Sequence, residues 1–157
     1  MPSAEIRAVV PASCEIVFDL VHDYARRLEW DTLLQEAYLE DDLIEACRGA
    51  VAVCRGKGVL GAFTLRTEYV TFERGRVAAV KMLNRPPFFA AFAASIRHRD
   101  LGDGRSEIIY KLNFQARPRW LRFMLHPPML IFLRWETRKR LAAFRGYVER
   151  VDVGRGP

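Results

Sequence analysis

Arg134 stands among apolar neighbours at helical spacing, between Leu130 and Thr137, in the segment PMLIFLRWETRKRLAAFRGYVER near the end of the chain. A guanidinium on such a stripe would face the interior or its mouth, where an uncompensated charge is expensive. It then forks onto a carboxylate, phosphate or enolate oxygen, or it reaches out of the helix end to pair with a glutamate, its stem covering apolar surface. Tyr69 and Tyr110 sit on inward strand faces, Tyr69 with Leu65 and Thr67, Tyr110 with Ile108 and Leu112. Their hydroxyls suit a ligand carbonyl or proton donation to an enolate, and equally a core tyrosine with a bonded tip. Thr67 and Thr137 add hydroxyls to the same lining. Trp30 closes the wall or packs beside it, and Phe114, Leu130 and Leu141 supply apolar surface.

Other chemistry finds little support. His126 precedes two prolines with no acidic orienter nearby, and His22 and His98 lack catalytic spacing with Asp23 and Asp100. Three isolated histidines make no zinc site, so neither metal nor cofactor is expected. No nucleophile elbow, phosphate-binding loop or dinucleotide glycine pattern occurs. Cys14, Cys47 and Cys54 form no CxxC pair, and they read as reduced thiols of a cytoplasmic protein. The N-terminal MPSAEIRAVVPAS lacks a signal-type apolar run. Trp120 to Trp135, the most apolar stretch, is too interrupted to span a membrane.

These side chains need elements to hold them. The 157 residues read as one domain, spanning 1–157, half hydrophobic and 28% charged. The net charge of +6 comes from arginines scattered along the chain, with no basic helix or aromatic-basic motif for nucleic acid. Pro128 suits a first helical turn, and the helix from there to Arg150 is about 34 Å long. Leu130, Leu133, Thr137, Leu141, Phe144 and Val148 share one stripe of it. Glu5 to Val10 alternates as a strand. Ser13 caps a helix from Cys14 to about His22, and a second short helix runs from Tyr24 to about Trp30. Six period-two segments follow: Leu34–Asp42, Gly49–Arg55, Ala62–Glu73, Arg76–Leu83, Phe88–Asp100 and Glu107–Ala116. Gly102-Asp103-Gly104 marks a hairpin between the last two. The fold class is α+β: a curved antiparallel sheet of about seven strands wrapped around the long C-terminal helix, with a cavity between them.

The stretch IRAVVPASCEIVFDLVHDYARRLEW, a strand running through Pro-Ala-Ser into a helix and on to Glu29-Trp30-Asp31, resembles the START-like helix-grip superfamily (SRPBCC). The resemblance is to its polyketide cyclase/dehydrase and lipid-transport branch, and LRWETRKRLAAFRGYVER carries it at the other end. It covers Glu5 to Arg150. It implies a hydrophobic small-molecule ligand (lipid, isoprenoid or polyketide-like) and supplies no catalytic motif. Two functions remain open: a binding module, and a cyclase or dehydratase acting on a poly-carbonyl chain oriented by Arg134, Tyr110 and Tyr69. Trp120 to Trp135 carries more apolar surface than one inward stripe accommodates. It is a lid over the cavity, a homodimer contact, or a peripheral membrane contact with Arg117, Arg119 and Arg122 at the headgroups.

Overall fold

Alternating strands separated by short turns pair with their neighbours, and this chain does so from its second strand to its seventh, while the first strand pairs with the seventh. The computed structural model describes residues 2–154. Its elements run β1 (Ser3–Val10), α1 (Cys14–Val21), β2 (Leu34–Leu39), β3 (Val51–Gly56), β4 (Thr64–Glu73), β5 (Val77–Met82), β6 (Phe89–Gly102), β7 (Arg105–Ala116) and α2 (Arg122–Gly154). The seven strands form one antiparallel sheet in the order β1-β7-β6-β5-β4-β3-β2. β1 and β7 pair in register from Ser3↔Asn113 to Val10↔Ser106. Bulges in β4, between Tyr69 and Thr71, and near both ends of β6 accompany the bend of the sheet toward α2.

Each local element follows from its residues. Ser13 Oγ accepts from the Ile16 amide at 3.4 Å and starts α1, with Glu15 in the first turn. Val17, Leu20 and Val21 of α1 are buried beside Ile108 of β7 and Phe144 of α2, in the principal core. The β6–β7 turn uses Gly102, Asp103 and Gly104 at φ of 79°, 54° and 73°, the left-handed region that glycine and aspartate tolerate. Leu141, Phe144, Tyr147 and Val148 of α2 are buried, and Phe144 meets the Trp30 ring edge-on at 4.8 Å. The expected stripe of α2 therefore faces the sheet.

Three boundaries differ for physical reasons. The second short helix reduces to a single 3-10 turn, Arg27–Glu29, because Arg27 turns inward to a buried partner. β2 stops at Leu39, and Asp41 and Asp42 take left-handed φ of 60° and 56°, which no strand accommodates. α2 begins six residues before Pro128 and runs through Pro127 and Pro128. Both prolines and the residues one turn earlier, Phe123 and Met124, are exposed, so water can satisfy the carbonyls that lose helical donors.

Candidate functional site

A curved sheet cannot close completely on one helix, and the gap here is a cavity of about 380 Å³ between the strands and α2. Leu65, Val80, Phe92 and Ile96 line it from the sheet, and Leu125, Met129 and Leu133 from α2. Gly56 allows the chain after β3 to turn in tightly: a Cβ there would lie 2.7 Å from the Leu60 side chain and 2.8 Å from its carbonyl oxygen. Only glycine fits, and Leu60 consequently joins the wall.

Charge is concentrated at one end. Asp31, 1% exposed, accepts from Arg27 Nε at 2.9 Å, from Arg140 Nε at 2.9 Å and Nη2 at 2.7 Å, and from the Leu33 amide at 3.2 Å. Burial alone would raise the Asp31 carboxyl, but the two guanidiniums hold it well below the usual carboxylate range. Burial likewise opposes the charge on both arginines, and Asp31 restores it. Arg27 also donates to the Val21 carbonyl at 3.0 Å, and its guanidinium lies 4.8 Å from the Trp30 ring centroid. Both arginines line the cavity.

Beside them runs a chain of neutral groups. The Tyr24 and Tyr69 hydroxyls are 2.7 Å apart, and Tyr69 Oη lies 2.9 Å from His22 Nδ1. Burial pushes Tyr24 up to about 12 and Tyr69 well above its ordinary value, and it drives His22 well below. With His22 Nδ1 as donor, Tyr69 passes its proton toward Tyr24, and the Tyr24 hydroxyl is left to donate into the cavity. All three residues line it.

The expected residues divide between this cavity and the core. Thr67, Tyr69 and Tyr110 line the cavity. Trp30, Phe114, Leu141 and Thr137 are buried away from the lining: Trp30 and Leu141 pack with Phe144 in the core, and Phe114 packs against Phe89 and His126. Leu130 is half-buried against that core. Arg134 is the correction. It is exposed and lies outside the lining, because the cavity-facing side of α2 carries Met129, Leu133 and Arg140, and at 3.6 residues per turn Arg134 falls about 100–140° around the helix from them. Arg140 takes the inward place instead. His126 is structural, its Nε2 accepting from the Ala116 amide at 3.2 Å and fastening α2 to β7.

Sequence reasoning did not find Arg27, Asp31 or Arg140. The heptad spacing Leu133–Arg140–Tyr147 was the available signal for Arg140; nothing local announced that Asp31 would reach a residue more than a hundred positions away. The segment Trp120 to Trp135 splits by face. Leu125, Met129 and Phe132 line the cavity, while Trp120 (73%), Phe123 (77%) and Ile131 (70%) are exposed, with Met124 and Trp135.

A curled seven-stranded antiparallel sheet gripping one long helix over a mostly apolar cavity defines a START-like helix-grip domain. The chain matches the family model described as polyketide cyclase / dehydrase and lipid transport over residues 1–149, and it belongs to that family. It is similar to a START superfamily protein from Mycobacterium smegmatis, with 16% identity over 95% of this chain and 98% of that one at a TM-score of 0.75. The Zhui aromatase/cyclase from Streptomyces sp. R1128 gives 18% identity, 95% and 94% coverage and a TM-score of 0.76. A Thalictrum flavum norcoclaurine synthase point mutant, in complex with a transition-state analogue, gives 10%, 96% and 96%, and 0.72. At these identities the likeness is one of fold. No curated protein matches the chain.

Proposed function

We propose that the protein binds a hydrophobic small molecule, of lipid, isoprenoid or polyketide type, between its sheet and α2. The cavity carries this reading: about 380 Å³, walled mainly by aliphatic and aromatic side chains, with its polar groups gathered at one end. The family description, which joins polyketide chemistry with lipid transport, supports the ligand class. Ala94 lines the cavity from β6, and Ala94→Trp should fill it from that side. Titration with the neutral fluorophore N-phenyl-1-naphthylamine should give saturable binding, weakened about tenfold or more in the variant. Absence of saturable binding to the wild type would overturn the proposal.

A cyclase or dehydratase acting on a poly-carbonyl chain is the second reading, favoured by the Tyr24–Tyr69–His22 chain on the wall. There the Tyr24 hydroxyl would donate to a carbonyl oxygen as enolate charge develops. Mass spectrometry of material incubated with a poly-carbonyl substrate separates the two readings. Unchanged mass and connectivity fit carriage; loss of water or ring closure fits chemistry.

Exposed Trp120 and Phe123 follow Arg119 and Arg122 directly in the chain, and Ile131 is exposed further along α2. That pairing of aromatic and cationic groups suits an anionic membrane surface, from which an apolar ligand could enter. Among the described residues no helix is long and apolar enough to cross a membrane. Flotation with phosphatidylserine-containing vesicles should therefore succeed and should be lost in Trp120→Asp/Phe123→Asp. No flotation, with a dimer on size exclusion, would assign this face to a second copy of the chain.

A further inference from the structure

We propose that the charged end of the cavity grips the carboxylate head of an amphipathic ligand between Arg27 and Arg140, with the tail lying along the apolar wall. This rests on the ligand-binding reading above and names the head group. The first argument is a charge count. Two guanidiniums share one buried carboxylate, so the cluster carries a net charge of +1 in a largely water-excluded place. The neighbouring groups do not offset it: the buried Glu136, one turn before Arg140 on α2, is matched by Lys139 at 3.2 Å. Tyr24 and Tyr69 are neutral donors, and Cys54, also on the lining, is a thiol whose ionisation burial disfavours. Glu29 is engaged elsewhere, by Arg26 at 3.1 Å and by the Tyr147 hydroxyl at 2.5 Å. An unbalanced buried charge is destabilising, and an anionic guest would offset it.

The second argument is the count of donors. Asp31 already accepts four hydrogen bonds, two of them from Arg140 through Nε and Nη2. Arg27 uses Nε on Asp31 and Nη1 on the Val21 carbonyl. Arg27 Nη2 and Arg140 Nη1 make no hydrogen bond to another described residue. Both side chains line the cavity, so these amino groups are the donors left for a guest. A single carboxylate balances the excess charge and can accept from both arginines; a phosphate monoester would overshoot it. The remaining wall, with Leu60, Phe63, Phe89, Phe92 and Met129, is suited to a hydrocarbon or aryl tail.

Isothermal titration with dodecanoate and dodecan-1-ol isolates the head group, since the tails are identical. Wild-type protein should bind dodecanoate roughly tenfold or more tightly than the alcohol. Arg140→Met leaves the Arg27–Asp31 pair neutral and should abolish that preference, bringing the two affinities to within about twofold of one another. Equal wild-type affinities would overturn the head-group assignment and leave the hydrophobic-ligand reading standing. Binding of neither probe would remove both. The wild-type comparison decides the matter even if the variant does not fold.

Discussion

Replacing Asp31 with alanine should cost the fold about 3–5 kcal/mol, the largest loss expected from any one substitution outside the apolar core. Asp31 is almost wholly inaccessible and is the shared anion of Arg27 and Arg140. Without it, two guanidiniums remain in the interior, repelling one another and lacking the partner that justified their burial. The aspartate also joins three parts of the chain: the loop before β2, the 3-10 turn and α2. Urea denaturation monitored by tryptophan fluorescence measures the effect. A loss under about 1 kcal/mol would mean that the arginines reach solvent without penalty. Arg140→Met is the milder companion, since an intact Arg27–Asp31 pair remains. The sign with pH follows from the same shift. The folded Asp31 carboxyl lies below its unfolded value, so its contribution is complete above about pH 4 and disappears as pH falls further.

A second loss of stability should appear at higher pH, from histidine. His98 on β6 is buried, neither ring nitrogen meets a partner among the described residues, and the Phe18 ring packs edge-on at 5.3 Å. Burial lowers it from 6.5 to about 4. The unfolded chain takes up the proton near its ordinary value and the folded protein does not. Stability is therefore full above about pH 6.5 and falls as pH drops toward 4, with about 2 kcal/mol gone by pH 5 from this residue alone. His22, lowered mainly by burial and then by Arg27 and His98, acts in the same direction. His98→Leu removes one titration and one pair of unpartnered nitrogens. It should flatten the change in unfolding free energy between about pH 7.5 and about pH 5 without loss at the upper end. An unaltered slope would show that His98 is protonated in the folded state, with water reaching the ring.

The parts of the molecule legible in its sequence are those governed by local periodicity. Alternation placed all seven strands, Gly102-Asp103-Gly104 marked the β6–β7 turn, and the spacing from Leu133 to Val148 identified the face of α2 that meets the sheet. Pro127-Pro128 misled because proline is usually a helix boundary, whereas near an exposed helix start the missing amides are tolerated. The charged end of the cavity was hidden for a different reason. Asp31 and Arg140 lie at opposite ends of the sequence, and their bond exists only once α2 has crossed the sheet. Arg134 and Arg140 both stand among apolar neighbours; an error in the centre of the buried arc exchanged them. Thr67, Tyr69 and Tyr110 were readable as inward residues because strand alternation is a two-way choice, a coarser decision than the rotation of a helix.

The two prolines of α2 bear on how one stretch of the cavity wall is held in place. Lacking amides, they leave the Phe123 and Met124 carbonyls without helical donors. Leu125, part of the cavity wall, lies on the same turn. Bonds from outside the helix replace part of that ladder: Arg122 Nε donates to the Ala116 carbonyl at 2.9 Å and His126 Nε2 accepts from the Ala116 amide at 3.2 Å, so this stretch of wall is moored sideways to β7 rather than lengthwise along the rod.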